Sequence, residues 1–125
     1  MTQPLALFLY EKMLPGGQLT NRLQDLGYRV HTLSDPRLLV ESAEREKPLL
    51  VIADLDPRPE KACDAITKLK QNRNTGHIPV IAFTGRTVPD GIQEAARIAG
   101  ATLVVSDTAI LAHLQLLLDQ ALQVD

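Results

Sequence analysis

The sequence predicts a doubly wound (βα)5 domain, one five-stranded parallel sheet with helices packed on both faces. Three observations predict it. Short apolar runs alternate five times with longer amphipathic stretches, the pattern of repeated strand–helix units. Two of the inner runs, "PLLVIAD" (48–54) and "IPVIAFTG" (78–85), are apolar without alternation, as strands covered on both faces are. Helix stops and starts fall between the runs: Gly27 and Gly100 close amphipathic stretches, and Asp35–Pro36 opens one.

Each element follows from its own residues. "LALFLY" (5–10) is the first strand, and "LPGGQLTNRLQDLG" (14–27) the helix after it. Leu19, Leu23 and Leu26 recur on one face of that helix, with Gly27 at its stop. "YRVHTLS" (28–34) alternates apolar and polar residues, which suits an outer strand. The next helix takes Asp35 as N-cap and Pro36 as its first residue. After the third strand, a helix from about Glu60 to Gln71 presents Ala62, Ala65, Ile66 and Leu69 on one face. "DGIQEAARIAG" (90–100) is a small-residue helix following the fourth strand, and "ATLVVS" (101–106) is the fifth strand. "TAILAHLQLLLDQALQ" reads as a single last helix, with a broad apolar arc from Ile110 to Leu122.

Composition limits the class. The 125 residues suffice for one domain, 1–125, with a core of its own. A net charge of -2 supports neither a nucleic-acid partner nor an anionic membrane surface. One cysteine, Cys63, excludes an internal disulfide framework and fits a reducing, cytoplasmic setting. The first residues carry no basic segment ahead of an apolar stretch, so they do not read as a signal peptide. No apolar run approaches the roughly 20 residues that span a bilayer.

In open α/β sheets ligands lie beyond the carboxyl ends of the strands, where strand order reverses. Those ends carry Tyr10 and Glu11, then Asp54, Thr84 and Ser106. Glu11 and Asp54 together offer oxygen ligands to a hard cation such as Mg2+. Asp54 also suits an Asx turn ahead of Pro57, and Ser106, followed by Asp107, suits the cap of the last helix.

Residue types and spacing at these strand ends resemble the receiver domains of two-component response regulators, the CheY-like, flavodoxin-like fold. "EAARIAGATLVVS" is similar to that family's run of small residues into its fifth strand. The resemblance implies that Asp54 is the phosphoacceptor and that Thr84 supplies a hydroxyl to the acyl phosphate. It implies Mg2+ held by Glu11, Asp54 and the backbone carbonyl of Asp56. It further implies a sensor histidine kinase or phosphotransfer protein as donor, a protein output partner, and pairing through the fourth helix, fifth strand and last helix.

Several positions depart from the family pattern. Ser106 stands where the family has Lys, Tyr10 replaces an acid, and Glu11 is one methylene longer than the usual Asp. Leu103 holds the place of the switching aromatic, and "LDPRPEK" replaces the usual loop after the acceptor. The resemblance therefore implies a degenerate receiver, with phosphorylation at Asp54 impaired or repurposed, or a pseudo-receiver that binds partners without it.

Two readings from other classes compete. "DLD" after an apolar strand also resembles the Asp-x-Asp of haloacid-dehalogenase-like phosphatases, but 53 residues precede Asp54 and Arg58 stands where Thr or Val is wanted. A flavin site would need hydroxyl-rich phosphate-binding residues after the first strand and aromatic walls, and "EKMLPGGQLT" supplies neither. His31, His77 and His113 lack metal-ligand spacing, and Cys63 reads as an inert thiol beside a helix's apolar face. Arg58, Lys61, Lys68, Lys70 and Arg73 gather on and near one helix, a solvated face or a docking surface for an acidic partner.

Overall fold

The computed structural model describes residues 3–10, 13–56, 58–85 and 87–122. In chain order the elements are β1 (Leu5–Leu9), α1 (Met13–Asp25), β2 (Arg29–Leu33), a 3-10 turn (Pro36–Leu38), α2 (Leu39–Glu46), β3 (Leu50–Asp54) and α3 (Pro59–Gln71). β4 (Val80–Thr84), α4 (Asp90–Ala99), β5 (Leu103–Ser106), α5 (Asp107–Ala112) and α6 (Leu114–Leu122) complete it. The strands form one parallel sheet in the order β2-β1-β3-β4-β5. The predicted doubly wound architecture is therefore observed, with strand order reversing between β1 and β3.

The continuous apolar runs are buried for the reason the sequence suggests. Every residue of β1, β3 and β4 is buried, whereas β2, at an edge, buries only Leu33. Successive strand residues point to opposite faces, so the core has two halves. Leu7, Val51, Ala53, Val80 and Ala82 face α2, α3 and α4. Ala6, Phe8, Ile52, Ile81 and Phe83 face α1, α5 and α6. α3 buries the four residues that its periodicity picks out, Ala62, Ala65, Ile66 and Leu69.

Three helix expectations need correction. Leu26 lies past the end of α1 and is exposed, because the chain has already turned toward Gly27 (φ +93). Asp35 does cap, accepting the Arg37 N–H, but what it caps is the 3-10 turn that leads into α2. The last helix is two helices. It breaks at His113 (φ -125, ψ 31), two residues after Leu111, whose carbonyl accepts a 3.1 Å hydrogen bond from Arg22 on α1. A side chain intruding on the helical ladder is a recognised cause of such breaks.

Candidate functional site at the carboxyl ends of the strands

The sheet register brings most of the expected residues to one rim. Asp54 ends β3 beside Phe83, and Thr84 ends β4 directly opposite Ser106. Tyr10 follows β1, which pairs with β3 through Leu9 and Ala53. Its ring packs against Phe8, centroids 4.5 Å apart and planes tilted by 38°, so it meets the core as an aromatic. Glu11 lies outside the described residues.

Asp54 and Thr84 are two of the few polar residues the fold buries, at 5% and 3% exposure. Burying polar groups without partners is costly, and both have partners. Asp54 Oδ1 accepts the Asp56 backbone N–H at 3.0 Å, the Asx turn that its position before Pro57 suggests. The Thr84 hydroxyl donates to Asp56 Oδ1 at 3.1 Å. Leu55 N–H, between the two acids, donates to the Phe83 carbonyl at 2.8 Å and extends the β3–β4 ladder into the loop. Asp54, Asp56 and Thr84 thus form one hydrogen-bonded unit. The receiver resemblance singled out Asp56 only for its carbonyl; the bond of its side chain to Thr84 is what sequence reasoning missed, and the "DLD" repeat was the available signal.

Ser106 is placed on the rim but used differently. Its Oγ accepts the Ala109 N–H at 3.1 Å and caps α5, so the helix-cap alternative is the observed arrangement. Leu103 starts β5 and packs, half-buried, against the α1–α5–α6 half of the core. Ordinary burial thus accounts for an aliphatic side chain at that position.

Oxygen donors at the rim suit a hard cation, and Mg2+ is commonly held by one or two carboxylates with water completing its shell. Asp54 and Asp56 meet that description. Among the described residues, no group of three His, Cys, Asp or Glu side chains comes together elsewhere or here.

The architecture matches solved structures along almost the whole chain. The receiver domain of sensor histidine kinase PA1611 from Pseudomonas aeruginosa PAO1, solved with a magnesium ion in its active site cleft, superposes at TM-score 0.86 with 23% identity. That match covers 98% of this chain and 100% of that one. The chain has the receiver fold. The BeF3-activated receiver domain of Klebsiella pneumoniae RstA is similar at TM-score 0.80 and 20% identity, covering 96% of this chain and 99% of that one. CheY4 of Vibrio cholerae gives 0.75 and 20%, covering 91% and 98%. No protein-family model and no curated protein sequence matches the chain. At these identities the receiver fold is common to all four while the rim residues of this chain stand on their own geometry. No helix among the described residues is long and apolar enough to cross a membrane.

The basic cluster and the cysteine also find their places. Lys70 leaves the cluster: its ammonium donates to the carbonyls of Ile78 (2.7 Å) and Gly76 (3.3 Å) at the far end of α3, and burial lowers its pKa. Cys63 is half-buried, and burial followed by the charge of Glu60 pushes its thiol pKa up. A thiol so shifted is less nucleophilic at neutral pH, as the inert reading expects.

Proposed function

We propose that this chain is a cytoplasmic receiver-like signalling module in which Asp54 is the phosphoacceptor of an altered switch. The observation that carries the reading is the buried Asp54 carboxylate at the end of β3, coupled through Asp56 to the Thr84 hydroxyl at the end of β4. An Asp54 carboxylate oxygen attacks the phosphorus of the donor; the new P–O bond forms as the donor's bond to phosphorus breaks, P–N with imidazole leaving from a phosphohistidine, or P–O with acetate leaving from acetyl phosphate. Mg2+, when bound, supplies charge neutralisation on the transferring oxygens, and Asp54, Asp56 and Glu11 are the residues that would hold it. Thr84 then exchanges its bond to Asp56 for one to the phosphoryl group. Ser106, engaged as a cap, brings no cation to that group. The switch is therefore weaker than one with a charge-assisted contact. A sensor histidine kinase or phosphotransfer protein is the donor, and the output passes through protein contacts, with the face of α4, β5 and the α5–α6 pair as the place for a homodimer.

A second reading has a specific observation in its favour. The rim side chains are already engaged within the fold, Thr84 with the Asp56 carboxylate and Asp54 and Ser106 each with a backbone N–H, as in a pseudo-receiver whose site serves the fold and whose surface binds partners without phosphorylation. Intact mass after incubation with acetyl phosphate and Mg2+, beside an Asp54→Asn control, separates the two. One added phosphoryl group, absent from the control, is expected. An unchanged mass in both proteins leaves the pseudo-receiver reading. Steady release of phosphate instead would point to the phosphatase class.

A further inference from the structure

A cleft of about 670 Å3 opens between the 3-10 turn with the start of α2 on one side and α3 on the other. Its walls carry four cations, Arg37, Arg58, Lys61 and Lys68, against two carboxylates, Asp35 and Asp64. This excess of positive charge sits on a chain whose net charge is -2. Val40 and Ala65 add apolar lining. The two carboxylates are already paired, Asp35 with Arg37 at 2.9 Å and Asp64 with Lys68 at 3.2 Å. Lys68 and Asp64 are 68% and 64% exposed, and pairs so open to water contribute little and re-partner readily. The charge of Arg58 also reaches Asp35, on the opposite wall.

The spacing of the cations selects the ligand. Lys61, Ala65 and Lys68 recur on one side of α3, and Arg58 at its N-cap extends the line to about ten residues, roughly 15 Å at the helical rise. A single phosphate would engage only one end of that line. An extended segment advances about 3.3 Å per residue, so some five residues would follow its length. We infer that this cleft docks an acidic segment of a partner protein, its carboxylates running along Arg58, Lys61 and Lys68 with Arg37 facing them. This deepens the signalling role proposed above by giving the partner's chemistry. Its test involves no phosphorylation, so either reading can fail alone.

The experiment is fluorescence anisotropy of the full chain with a dye-labelled ten-residue peptide of alternating Glu and Ser, beside the same peptide with Gln for Glu. Binding of the Glu peptide alone is expected, weakening with added salt and falling about tenfold or more in a Lys61→Glu/Lys68→Glu variant. Arg37→Glu, on the other wall, is expected to weaken it as well. Lys47→Glu, beyond the end of α2 and outside the cleft, is expected to leave it unchanged. All four lysine and arginine positions are exposed, so circular dichroism should show folded proteins throughout. No binding of the Glu peptide, or an equal loss in Lys47→Glu, overturns the inference. Binding of pyrophosphate that the cleft variants abolish, with no binding of the peptide, overturns it in favour of a small-anion site.

Discussion

Two buried threonines bracket β4, and they are used in opposite ways. Thr75, before the strand, is fully buried, and its hydroxyl donates to the Leu69 carbonyl at 2.7 Å. Thr84, at the strand's carboxyl end, is 3% exposed, and its hydroxyl donates to the side chain of half-buried Asp56 at 3.1 Å. A backbone carbonyl fixed at a helix end has nowhere to go, whereas a carboxylate at the rim has water as an alternative. The first bond closes the fold; the second is one the molecule can exchange. The surroundings repeat the contrast. Around Thr75, Asn72 Oδ1 accepts the Asn74 N–H, and Lys70 ties Gly76 and Ile78. At the rim, the hydrogen bonds join side chains that chemistry could use.

The largest effect expected from breaking the rigid end is at Gly100. Its φ of +117 is a conformation L side chains rarely adopt, and an added Cβ would stand 2.6 Å from Lys70 Cγ, near the root of that side chain. Gly100→Ala therefore strains the backbone and pushes Lys70 off its carbonyls, at a cost of roughly 3 kcal/mol. Urea denaturation should show that loss with an unchanged slope. Next is Thr75→Val, which keeps the shape but leaves the Leu69 carbonyl with only a 3.4 Å approach from Asn72 N–H. A loss of about 2 kcal/mol is expected, and a change near zero would erase the distinction between the two threonines.

At the rim the same substitution should behave differently. Thr84→Val removes a bond whose acceptor can turn to water, so the stability change should stay under about 1 kcal/mol. The phosphoryl group on Asp54, by contrast, would lose its hydroxyl partner, and on the function proposed here its lifetime should change several-fold in a phosphate-release assay. Equal stability losses for Thr75→Val and Thr84→Val would show the rim to be as structural as the opposite pole.

What was legible in the sequence follows from the range of the forces involved. α3 could be read because its apolar residues repeat within one helix and all face one way. Asp54, Thr84 and Ser106 could be placed because parallel strands of similar length end at one rim. The break at His113 could not, since the apolar arc continues across it and the relevant donor, Arg22, is 89 residues away from Leu111. The Asp56 side chain was likewise hidden: "DLD" is plain to see, but its acceptor role depends on Thr84, 28 residues on. Lys70 looked like one more surface cation until the turn after α3 folded its carbonyls back over it.

Lys70 also gives the smallest and most selective test. Burial disfavours its charged form and the two carbonyls favour it; burial prevails, and the folded pKa lies below the ordinary 10.5. Between the lowered value and 10.5 the unfolded chain therefore binds more protons at this site than the folded one. Stability must rise with pH across that window, because the charge that folding buries is being removed. At lower pH both states are protonated and the contribution is constant. Lys70→Met deletes this titration, so the difference in urea midpoint between the original chain and the variant should drift in favour of the original as pH climbs toward 10.5. A flat difference for Lys70→Met would mean that the two carbonyls hold the ammonium as well as water does, and that the polar end of α3 is less closed than its bond lengths suggest.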